Sequence, residues 1–310
     1  MSRLVPCLQV FALLLCLIGS ERAQTTVPLP LPPSPIGDSA HDFYDELSDC
    51  WVWDSESRLS PADRHAFQTD SHCNGKAMDG NAELVWRRAQ RDGEIWKGQF
   101  RAGRFSGKAT RQYVDTTYEA SYVDGRRSGP TVHLYNHGGS RELNFEKGKE
   151  SGRMVEIYAE GTRVEGQYEE GKRVGVWSRT HHDGSRFEYP APPPISNRTP
   201  KGVLFGPDGV RINGIYEIPR MDVQASPPFV YPPISVRLNE QGVVLATIKV
   251  LEDGTVQDVR LARSSGFQRL DEAALNAFVL RHYLPGTVDG KPIASYVLVA
   301  QNFSLNDPRQ

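Results

Sequence analysis

From Gly93 to about Tyr189, apolar and polar residues alternate in short runs, as in Arg163-Val164-Glu165-Gly166-Gln167-Tyr168. A period of two marks a strand with one buried and one open face. The runs recur: Gly93, Asp115, Gly138, Gly161 and Gly184 open units of 22 and then 23 residues. Seven positions into the first four units stands an aromatic, Phe100, Tyr122, Phe145 or Tyr168. Three residues later comes Gly103, Gly125, Gly148 or Gly171, and four beyond that Gly107, Gly129, Gly152 or Gly175. With only 28 glycines in 310 residues, this regularity is not coincidence. Tyr113, Tyr135 and Tyr158 close three units, and His181 holds that slot in the fourth.

This spacing predicts stacked β-hairpins. Gly tolerates the positive φ of a tight turn, and the aromatic before it packs one unit on the next. A hairpin that cannot bury a face alone must join its neighbours in a continuous sheet. On this reading Gly125→Val or Gly148→Val destabilises the array far more than Lys147→Val does.

Past residue 226 the pattern changes. Val243 to Leu251 and Val256 to Arg263 read as strands around an Asp253-Gly254 turn. Leu270, Ala273, Ala274, Ala277 and Phe278 recur at helical spacing. Asp271 and Glu272 open that helix and Arg281 and His282 close it, as the helix dipole favours. Residues 295–305 read as a last strand with Val297, Val299, Phe303 and Leu305 on one face. The expected fold class is mainly β: a stacked hairpin sheet plus an α+β domain of β-β-α-β order.

The remaining segments divide the chain. Leu4 to Gly19 is apolar apart from Gln9, with Arg3 before it and the small residues Ser20 and Ala23 after it. This reads as a signal peptide over 1–23. A membrane anchor is the alternative, although 16 residues fall short of the ~20 that a spanning helix needs. A Pro-rich tether follows at 24–40, and a second Pro-rich stretch opens an irregular segment at 190–226, with a turn at Gly206-Pro207-Asp208-Gly209 that would carry a hairpin around it. Export leaves Cys50 and Cys73 as an even pair in an oxidising compartment, which implies a disulfide within a small region at 41–92. Two free buried thiols are the alternative. Ser60-Pro61 looks like a helix start there. The net charge of −2 makes no case for nucleic acid.

Two families resemble these patterns. The spacing G-x6-[FY]-x2-G-x3-G-x5-Y resembles MORN and MORN-variant repeats, which implies a scaffold for partners. From Pro227 to Leu305 the ordered motifs resemble the TonB C-terminal domain: Tyr231-Pro232, Gly242-Val243-Val244, Asp253-Gly254-Thr255-Val256, Ser264-Ser265-Gly266, Leu270-Asp271 with Ala273-Ala274-Leu275, Pro285 and Phe303-Ser304-Leu305. That resemblance implies a bacterial periplasmic protein that captures a segment of an envelope or outer-membrane protein by strand addition. The docking edge would lie on 295–305, with Tyr296, Leu298, Ala300 and Asn302 tuning binding. An energy transducer retaining its N-terminal helix is the alternative.

No nucleophile motif, phosphate loop or H-E-x-x-H is present, so neither catalysis nor a cofactor is implied. His181-His182-Asp183 is the best metal-like cluster, and it reads as turn packing rather than as a metal site. Arg87, Arg88, Arg91, Lys97, Arg101, Arg104, Lys108 and Arg111 interleave with Trp86, Trp96, Phe100 and Phe105. They read as a solvated sheet face or, functionally, as a platform for anionic lipid or cell-wall polymer.

Overall fold

The computed structural model describes residues 42–45, 50–53, 65–66, 73, 76–88, 91–113, 115–191 and 201–305, with the backbone alone at 42–45, 65–66, 84–88 and 91–93. The signal segment, the tether, the Ser60-Pro61 helix start and most of the Pro-rich stretch before 201 lie outside the described residues. In chain order come β1 (Asp42–Asp45), β2 (Cys50–Trp53), β3 (His65–Ala66), β4 (Lys76–Ala77) and β5 (Gly80–Arg88). The repeats supply β6 (Arg91–Arg101), β7 (Arg104–Gln112), β8 (Thr116–Val123), β9 (Arg126–Tyr135) and β10 (Gly139–Glu146). They continue with β11 (Lys149–Tyr158), β12 (Arg163–Glu169), β13 (Lys172–Thr180) and β14 (Arg186–Pro190). Next are β15 (Lys201–Phe205), β16 (Arg211–Glu217), β17 (Arg220–Met221) and the short helix α1 (Pro233–Arg237). The C-terminal part holds β18 (Gly242–Val250), β19 (Val256–Arg263), α2 (Gln268–Val279), β20 (Tyr283–Leu284), β21 (Gly286–Val288), β22 (Lys291–Ile293) and β23 (Ser295–Phe303).

The fold is mainly β. Strands β3, β5 to β16, β21 and β22 form one 15-stranded sheet, built mainly of successive antiparallel hairpins, beside a C-terminal domain with its own sheet and helix. At each repeated turn two residues have positive φ: Ala102-Gly103, Asp124-Gly125, Lys147-Gly148 and Glu170-Gly171. Two such residues make the mirror-image turn whose twist matches the strands. The turn glycine also stitches units together: the N–H of Gly125, Gly148 and Gly171 donates to the carbonyl of Phe105, Arg127 and Glu150 in the preceding hairpin, at 2.8–2.9 Å. The second glycine of each unit stands opposite the next unit's aromatic, as in Gly107 with Tyr122, Gly129 with Phe145 and Gly152 with Tyr168. A residue without a side chain leaves room for a ring, and those rings are buried.

Lys147 sits at φ 50, inside the turn. It is therefore no mild site for valine, contrary to the sequence expectation, because β-branched residues resist that conformation as well. The hairpin expected around Gly206-Pro207-Asp208-Gly209 forms as β15–β16, which pairs with β14 and extends the long sheet.

At the N-terminal end Cys50 and Cys73 are disulfide-bonded. They hold Val52 and Met78 against Trp96, Phe100, Phe105 and Tyr122, closing that end of the hydrophobic stack. In the C-terminal domain α2 buries Leu270, Ala274 and Phe278, an i, i+4, i+8 stripe, against Val244, Ala246, Ile248 and Phe303. Asp271 in its first turn accepts from the Ser265 N–H and hydroxyl, both at 2.8 Å, and from the Ser264 hydroxyl. This explains why the Ser-Ser-Gly and Leu-Asp motifs occur together. Among the described residues no helix is long and apolar enough to cross a membrane.

Candidate functional site

The C-terminal sheet has the order β19-β18-β23. One face carries α2. The other rests on the long sheet, at the turns that end the repeat units. Thr247 donates to Glu160 at 2.6 Å, and the Ala159 N–H donates to the Ala262 carbonyl at 3.1 Å. Arg263 pairs with Glu156 at 3.2 Å. Glu156 also accepts from the hydroxyls of Tyr135 (3.1 Å) and Tyr158 (3.4 Å). Burial first, and then the Glu156 charge, pushes the Tyr158 hydroxyl up to about 12. His181 stacks on Tyr296 with ring centroids 4.6 Å apart, and burial together with the Arg179 charge lowers its pKa to about 3.

This interface decides what the C-terminal sheet can offer a partner. Ala262 of β19 is already bonded to the array. Strand β23 pairs with β18 along its whole length, from Ser295 opposite Val250 to Phe303 opposite Gly242. Among the described residues it pairs with no other strand, so it is an edge. Its side chains alternate as a strand requires. Val297, Val299 and Phe303 point into the core beneath α2. Tyr296 lies on the opposite face, is only 8% exposed and is packed by the histidine turn. Leu298 is half-buried against the array core. Ala300 and Asn302 are exposed. Of the four residues expected to tune binding, two therefore direct their side chains into an intramolecular interface.

The basic–aromatic run divides by face. Trp96, Phe100 and Phe105 are buried, whereas Lys97 and Arg101 are exposed on the other side. Period-two alternation puts Lys97 and Arg101 opposite these rings, whereas Arg111 is buried over the Trp96 ring at 4.1 Å. Lys97 pairs with Glu83 at 3.0 Å. Arg104 lies over the Trp53 ring at 5.0 Å. Arg87, Arg88 and Arg91 have no described side chain. In the histidine cluster, His182 approaches Asp258 at 4.0 Å and Asp183 accepts from the Ser185 N–H and hydroxyl.

Comparison with known proteins fits this domain. Residues 227–305 match the family described as Gram-negative bacterial TonB protein C-terminal. The C-terminal quarter resembles TonB. "Protein TonB" of Xanthomonas campestris is 37% identical over 76 residues, which is 24% of this chain and 34% of that protein. "Protein TonB" of Neisseria gonorrhoeae is 42% identical over 53 residues, 17% of this chain and 19% of that one. The chain thus spans about a third or less of the length of these curated relatives.

Sequence reasoning missed the interface formed by Glu156, Glu160, Thr247 and Arg263. These contacts join residues 87 and 107 positions apart, and no local pattern encodes them. His181, the one departure from the closing Tyr, was the only signal at that turn.

Proposed function

We propose that the chain is a periplasmic TonB-family adaptor that captures an extended segment of an envelope protein along β23. The MORN-like array would act as rigid spacer or second contact surface. The observation that carries this reading is the open edge of β23 beside a β19 edge already engaged by the array. A peptide strand laid there gains main-chain hydrogen bonds, and the exposed Ala300 and Asn302 can read its side chains. The partner best suited is a segment of an outer-membrane transport protein, as the likeness to TonB suggests.

Hydrogen exchange tests it directly. A captured peptide should slow amide exchange over 295–303 and leave 256–263 unchanged. Ala300→Pro should abolish capture while the thermal transition survives. Protection that falls elsewhere in the domain would rule out docking at this edge. A membrane-anchored energy transducer is the second reading, favoured by the likeness to TonB and by the apolar run at 4–19. Intact Met1 in the membrane fraction would establish it over the adaptor, and a mature start between Ser20 and Thr25 would do the reverse.

A further inference from the structure

We propose that the groove beside Trp53, at the hairpin-turn end of the array, binds the stem peptide of a cell-wall muropeptide, a ligand carrying carboxylate and ammonium groups together. The proposal rests on the periplasmic reading above only for where such a ligand is met. The groove is open, has a volume of about 580 Å³, and is lined by Trp53, Arg104, Asp124, Arg126, Glu146 and Lys147. That volume suits a small ligand rather than a protein surface.

Its floor is fixed. The Trp53 ring lies so close to the Gly125 turn that a Cβ there would stand 2.3 Å from it. The Arg104 guanidinium lies over that ring, yet its Nε is buried and has no hydrogen-bond partner. A carboxylate supplies the planar acceptor that a guanidinium fits. Arg104 and Arg126 follow the turn glycines of successive hairpins, two strands apart, or roughly 9–10 Å. The five charged side chains of the groove form no ion pair with any described residue. Two carboxylates and three cations left open toward one groove suit a ligand bearing both signs. A polyanion would meet Asp124 and Glu146, and a flat bilayer would not enter a concave groove.

The test is titration of the full chain with a purified disaccharide tetrapeptide bearing meso-diaminopimelate, followed by tryptophan fluorescence and calorimetry. We expect saturable binding, weakened at least tenfold in Arg104→Gln and severalfold in Arg126→Gln, in Lys147→Gln and on amidation of the ligand's carboxylates. The two exposed positions carry the test if Arg104→Gln fails to fold. The proposal is overturned by absence of binding up to millimolar ligand. Affinity indifferent to Arg126→Gln, Lys147→Gln and amidation overturns it too, as does binding only to phosphatidylglycerol vesicles. Peptide capture at β23, measured on the same samples, fails or survives independently, so the adaptor reading is judged separately.

Discussion

At the scale of single residues, the array depends on backbone conformations that sequence reveals only half of the time. The second position of each turn is glycine and was legible, because the left-handed region favours it. The first position holds Ala102, Asp124, Lys147 and Glu170 at φ 48–50, and nothing in those side chains announces it. Lys147→Val should cost about 1–2 kcal/mol, the usual penalty for a β-branched residue in that region. Lys147→Gly should cost nothing measurable, and Lys149→Val, on a strand, should be mild. Equal denaturation midpoints for Lys147→Val and Lys149→Val would refute the turn assignment. The buried histidines give a second prediction. His133 and His181 both have pKa values lowered to about 3 from an ordinary 6.5, first by burial and then by neighbouring arginines. The unfolded chain therefore binds protons that the folded chain refuses between pH 6.5 and 3. Stability is full above pH 6.5 and falls on acidification, by up to about 1.4 kcal/mol per pH unit for each histidine. His181→Tyr restores the residue that closes the other units and removes one titrating group. Its stability should decline less steeply over this window, and an unchanged slope would show that His181 is not held neutral.

Among the elements, the hairpins and α2 were legible because their periodicities are local and strong, although α2 ends at Val279, so Arg281 and His282, expected to close it, lie beyond its end. The second strand of the C-terminal domain falls at the expected residues, Val256–Arg263, and its last strand begins at Ser295 as expected. The short α1 was not legible, since five residues carry too little period. At 201–217 the turn alone pointed to the hairpin, because the strand pattern is interrupted by Gly202 and Gly214 and both faces are partly exposed. The disulfide was legible through cysteine number and compartment, and the structure adds what it supports. Strand β2 hands its Trp53 N–H to Gly103 and receives the Met78 N–H at Trp51, while Met78 accepts from Gly103. This links the cysteine-pinned region to the first turn. Reduction should destabilise the chain by roughly 3 kcal/mol, the usual value for a loop of this length. The loss should appear first as faster amide exchange in β6 and β7, on which the cap packs, and only later in β18 and β23. Uniform acceleration would mean that the cap supports the whole sheet and not only its end.

The whole molecule is where sequence said least. Two families in tandem suggested two modules on a linker, yet the long sheet continues through β16 into β21, and the C-terminal sheet lies on the unit-end turns. Ala262 of β19 belongs to the same core cluster as Tyr158, Trp177 and Phe187. Such docking needs residues brought together from distant turns, and no spacing rule reports it. Its consequence is mechanical: a strand captured on β23 would load the array directly, with no hinge between. If so, array and domain should unfold together. Arg263 is the informative position. It lies over the Tyr135 ring at 4.9 Å and pairs with Glu156, a carboxylate only 8% exposed. Arg263→Ala leaves that carboxylate with two tyrosine hydroxyls, a loss of about 1.5–3 kcal/mol for a charged hydrogen bond. Adding Glu156→Gln to it should return part of the loss, because the buried charge is then gone. The decisive reading is where the loss is felt. In a single cooperative unit, Arg263→Ala speeds exchange in β11, β12, β18 and β23 alike and shifts one calorimetric peak. If the domain merely leans on the array, the variant splits the peak in two, with the β18–β23 amides keeping their protection while the array melts. The second outcome would return the molecule to two modules and remove the rigid coupling from the proposed function.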